Sequence, residues 1–140
     1  MEKSVFLVIL ACLLWATPSF GAAAASPDDA DSAWVAHAVR LVHAAVTGTA
    51  PIADFRRQVV DSRKRLRRIF LANMGKGSGT RRALHMQMLV LNSLLQAAAS
   101  CHQGGTVSCP PTLISQLINE RDIVQRLAGK AETPDRGAGL

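Results

Sequence analysis

Ile52, Phe55, Val59, Ser62, Leu66, Ile69 and Asn73 follow one another in steps of three and four residues. That alternation gathers side chains on one side of an α-helix and scatters them over both faces of a strand. It is the a/d spacing of a helix that buries a narrow seam against other helices. Such a seam needs partners, and three more segments supply them. Trp34, Ala38, Leu41, Val42 and Ala45 form one stripe, with Asp28, Asp29 and Asp31 before it as caps and as acids at the positive end of the dipole. Leu84, Met88, Leu91, Leu95 and Ala98 form another, with Ser78 or Thr80 as cap. Leu113, Ile114, Leu117, Ile118, Val124 and Leu127 form the last, with Pro110 and Pro111 in the first turn, where a helix tolerates proline.

The breaks between stripes are short. Thr47 to Pro51 ends the first helix, Gly75 to Gly79 the second, and Gly129 the fourth. Short connections make neighbouring helices antiparallel. The expected fold is all-α: a small up-down four-helix bundle over residues 26–129, with residues 130–140 as a loose tail. Aromatic residues are 4% of the chain and tyrosine is absent, which argues against a sheet-rich domain. Hydrophobic residues are 49%, which argues against disorder.

Residues 1–25 read as a secretory signal peptide. Lys3 gives the positive start, Val5 to Ala16 the apolar run, and Ala22 to Ala25 the small residues of a cleavage site. The run is about 12 residues, against about 20 for a spanning helix. Ile9-Leu10-Ala11-Cys12 resembles a lipobox, but cleavage there would leave Leu13-Leu14-Trp15 still to come. The expected location is therefore periplasmic or secreted. In an oxidising compartment Cys101 and Cys109 form an even pair, and the expectation is a disulfide stapling the third helix to the fourth. Closing so short a loop contributes about 2.5 kcal/mol.

The charge is concentrated. Between Asp54 and Arg82 the chain carries ten Lys and Arg against two Asp, a local net charge of +8. Arg57, Lys64 and Arg68 fall opposite the seam, and Arg56, Arg63 and Arg67 along one flank. Arg63–Arg67 and Lys64–Arg68 are like charges at i,i+4 and repel by a few tenths of a kcal/mol each. A solvated face, with arginine stems covering apolar surface, is the plain reading. The functional reading is an acidic protein partner docked on Arg56, Arg57, Arg63, Lys64, Arg67, Arg68, Arg81 and Arg82. Such a surface also makes weak, salt-sensitive contact with an anionic membrane; nucleic acid is not the expected partner.

Other motifs carry less. Gly75 to Arg82 is not a phosphate-binding loop, because Lys76 comes too early and a helix precedes it. A glycine-rich linker running into a helix start, with three bases nearby, is at most an anion perch. His85, Met86 and Met88 suggest soft-metal chemistry, and a copper or haem carrier using His85, Met88 and His102 is one alternative. The residues do not converge well on one helix face, and no cofactor is expected. No catalytic set is visible. Arg121 falls between Leu117 and Val124 on the apolar face, where it snorkels at the rim, meets Asn73 or an acid, or holds a ligand carboxylate. A small helical enzyme acting on an anionic metabolite is the other alternative. Asp61 and Glu120 are a conceivable pair across the bundle. The expected function is non-enzymatic binding.

Overall fold

A computed structural model of the chain describes residues 26–77 and 79–133. The expected signal peptide, 1–25, lies outside the described residues, as do Ser78 and most of the expected tail, 134–140. The main elements are helical: α1 Pro27–Thr47, α2 Ile52–Asn73, α3 Gly79–Ala98 and α4 Pro111–Glu132. A hairpin of two short strands, β1 His102–Gln103 and β2 Thr106–Val107, joins α3 to α4. Each helix packs on the next, and α4 closes the ring against α1. The most extensive of these interfaces is α3 on α4.

Local chemistry sets the helix ends. Ser26, not one of the aspartates, is the N-cap of α1. Its hydroxyl accepts from the Asp29 N–H at 3.2 Å, and the Asp29 carboxylate accepts from the Ser26 N–H at 3.1 Å. This reciprocal box satisfies two donors that the first turn would otherwise leave orphaned. At the other end Gly48 takes the left-handed conformation, φ 66°, and its N–H reaches the Ala44 carbonyl at 3.1 Å. Helix α4 does not stop at Gly129. It continues to Glu132, because Ala131 packs against the core and the Ser32 hydroxyl of α1 donates to the Glu132 carboxylate.

The stripes become the core. Trp34, Leu41, Phe55, Leu84, Met88, Leu91, Leu95 and Leu117 are almost fully buried. Fully burying an aliphatic or aromatic side chain of this size contributes about 1.5–3 kcal/mol, so these residues carry most of the favourable free energy. The Trp34 indole N–H donates to the Ser62 carbonyl at 3.0 Å and pins α1 to the middle of α2.

The cysteine-flanked segment does more than turn. Gly104 and Gly105, with φ 59° and 84°, make the two-residue hairpin connection that left-handed residues favour. The hairpin then docks on the α1–α2 linker. The Val107 N–H donates to the Ala50 carbonyl at 3.0 Å, and the Ile52 N–H to the Gly105 carbonyl at 2.9 Å. Val107 is fully buried. The expected disulfide is not formed: Cys101 and Cys109 are free thiols. Their sulfurs donate to different carbonyls, Ala97 and Ala98. Burial pushes the Cys109 thiol up to about 11, helped by the neighbouring Cys101.

Gly48 lies where these loops meet. A Cβ there would come 3.3 Å from the Val107 carbonyl oxygen, on a backbone that L side chains rarely adopt. Gly48→Ala should cost about 1–2 kcal/mol, read as a lower urea midpoint with an unchanged m-value.

Candidate functional site

The outer side of α2 is a cationic surface. Arg56, Arg57, Arg63, Lys64, Arg65, Arg67 and Arg68 are all exposed, and so is Arg82 on α3. Three large apolar residues sit among them: Val60, Leu71 at 61% exposure and Met74 at 72%. At 100° per residue, Arg63, Arg67, Val60, Leu71 and Lys64 share about 100° of arc. The Arg56 guanidinium donates to the Ala99 carbonyl at the end of α3, 2.8 Å away, so the Arg56–Arg63–Arg67 flank borders α3. There Met86, Leu89 and Val90 are exposed as well. The surface therefore interleaves guanidinium groups with apolar side chains over two helices. Arg57 pairs with Asp54 at the surface, a contact of small value in water.

Arg81 does not belong to this surface. It turns inward from the first turn of α3. Its guanidinium meets Asp31 at 3.0 Å and Asp28 at 3.3 Å. The same Asp31 carboxylate meets His85 Nε2 at 3.0 and 3.1 Å. Asp31 is 4% exposed and His85 7%. The Phe70 ring of α2 lies 5.3 Å from the imidazole, centroid to centroid. One aspartate of α1 thus holds two bases of α3 under an aromatic cover. A buried carboxylate is tolerated only with such partners.

This arrangement places the residues of the smaller motifs. Arg81 is taken, so the helix start after the glycine linker loses one of the three bases that made it an anion perch. His85 Nε2 is taken, Met88 is fully buried in the core, and His102 is exposed on the hairpin at the opposite end of α3. Among the described residues no three His, Cys, Asp or Glu come together to hold a metal ion. Asp31 and His85 resemble two members of a catalytic triad, but no hydroxyl or thiol is hydrogen-bonded to His85 among the described residues.

Arg121 is partly exposed and pairs with its chain neighbour Asp122 at 2.7 Å. It meets neither Asn73, whose amide donates to the Ile69 carbonyl, nor a buried acid. The buried residue of that turn is Glu120, 7% exposed, with Oε1 unpartnered. Asp61 is exposed, and the two do not pair. His37, on α1, is a further perturbed group. Burial pulls its pKa down, Arg65 and Arg40 pull the same way, and a 3.5 Å contact to the Gln58 carbonyl opposes them.

Burial raises the pKa of Glu120. The folded chain then binds the Glu120 proton more tightly than the unfolded chain, so this group stabilises fully below the unfolded value of about 4.3 and loses its contribution as pH rises through the raised one. Glu120→Gln should therefore gain about 1 kcal/mol at neutral pH. The gain should shrink towards about pH 4, as read by urea unfolding at both pH values.

Compared with known proteins, the chain matches no family model, no curated protein and no solved structure.

Proposed function

We propose that this chain is an exported, non-enzymatic helical adaptor that docks an acidic partner protein on α2. The observation that carries the reading is the mixed surface. Charges alone are what a solvated helix face needs, but Leu71 and Met74 project into water among the arginines. Basic groups raise the rate of encounter with an acidic partner and set its orientation. Desolvated apolar anchors slow its departure. A segment with acidic residues around an apolar stripe matches both halves of this surface.

Export rests on the order of Lys3, the apolar run and the Ala22–Ala25 segment. Among the described helices none is long and apolar enough to cross a membrane. In an oxidising compartment the same reading has the Cys101–Cys109 pair close into a disulfide, which requires the two thiols, free in this structure, to come together at the hairpin base. Ser108 already hydrogen-bonds the Cys101 carbonyl there, at 3.1 Å. Protein recovered from that compartment should be two hydrogens lighter before reduction than after. Two free thiols in it would refute the bond.

The docking surface is tested with the Arg63→Glu, Lys64→Glu, Arg67→Glu and Arg68→Glu variant, carried as a set. A partner captured by wild-type protein at low salt should be released as salt rises, and the variant should not capture it. Leu71→Ser with Met74→Ser should speed dissociation and leave the salt dependence of association in place. Unchanged capture by the charge-reversed protein sinks the reading.

A further inference from the structure

Near the start of α1 and the end of α2 the two helices part around a cavity of about 520 Å³, open at its mouth. That volume lies within the range of roughly 300–1,000 Å³ typical of small-molecule sites. The gap exists because small residues face it: Ala30 and Ala33 from α1, Ala72 from α2. Trp34 and Ile69, both buried, form the apolar floor. Arg65 and Arg68 line the same cavity and are exposed. Neither is in an ion pair among the described residues. Asp61, one turn before Arg65, is exposed and in no ion pair among the described residues, and the acids at the start of α1 are turned elsewhere. Asp28 and Asp31 pair with Arg81, and Asp29 closes the Ser26 cap.

An apolar slot with two uncompensated guanidinium groups has a definite complement. We infer that this cavity binds a small amphiphilic anion, an acyl or aryl chain ending in a carboxylate, as a free monomer. The chain lies over Trp34 and Ile69 between the alanines. The carboxylate accepts charge-assisted hydrogen bonds from Arg65 and Arg68, the geometry that guanidinium groups favour. This site faces α1, whereas the Arg56–Arg63–Arg67 flank borders α3, so it goes beyond the acidic-partner reading and does not depend on it.

Calorimetric titration of the full chain with decanoate, kept below its aggregation threshold, tests the site. Decanoate should bind saturably with one site per chain. Decanol, which has the same tail and no charge, should bind at least about tenfold more weakly. Arg65→Gln with Arg68→Gln should weaken decanoate by about tenfold or more and leave decanol unchanged. Ala33→Leu should weaken binding of both by narrowing the slot, and Ala72→Leu serves if that variant loses its helical circular dichroism. Three results would overturn the proposal: no saturable heat with decanoate, equal binding of decanol and decanoate, or unchanged binding by both alanine variants. Binding to anionic vesicles without binding of monomeric decanoate would also overturn it, since the surface charge alone would then be responsible.

Discussion

The Asp31 carboxylate is the point on which the remaining assignments turn. It lies on the core side of α1 and takes both Arg81 and His85 of α3. Helix α3 begins at the end of the glycine-rich stretch Gly75 to Gly79. The ion pair ties its first turn to another helix. It also turns Arg81 inward from the surface and holds His85 through Nε2. A buried ion pair of this kind is a weak source of net stability, because desolvation offsets most of the attraction. Its effect is positional: an uncompensated Asp31 would be costly, so arrangements of α1 and α3 that separate the groups are disfavoured.

The stripes were legible because burial in a bundle obeys a period. Every residue assigned to the α3 stripe is buried, as is every one assigned to α1. The residues that escaped attention obey the same period but are polar. Asp31 precedes Trp34, Ala38, Leu41 and Ala45 in steps of three and four. Glu120 stands in the unbroken series Leu113, Leu117, Glu120, Val124, Leu127, Ala131. Arg121 also fits between Leu117 and Val124, and a four-then-three step cannot be told from a three-then-four step without the facing helix. The same series, followed as far as Ala131, carries α4 past Gly129. The docking of the hairpin on the α1–α2 linker left no local trace. Its hydrogen bonds join residues about 55 positions apart through backbone atoms alone, and periodicity is silent about such contacts.

Helix α2 breaks a local rule. Placing arginines at i,i+4 works against helix stability by a few tenths of a kcal/mol for each pair, and few acids are at hand to relieve it. The exposed Leu71 and Met74 contribute nothing to the core either. Helix formation here is sustained by the seam of Phe55, Val59, Leu66 and Ile69, which the rest of the bundle covers. Most of the outer side is thereby released from core packing, with Arg56 tying it to the end of α3. Departures from local consistency concentrate where a protein meets something else, and α2 departs from it along its whole outer side. Its two edges differ in what they border. Towards α3 the arginines alternate with exposed apolar side chains. Towards α1 they line an open, mainly apolar cavity. One run of positive charge thus borders an exposed mixed surface on one edge and an apolar cavity on the other, and the two proposed sites rest on that difference.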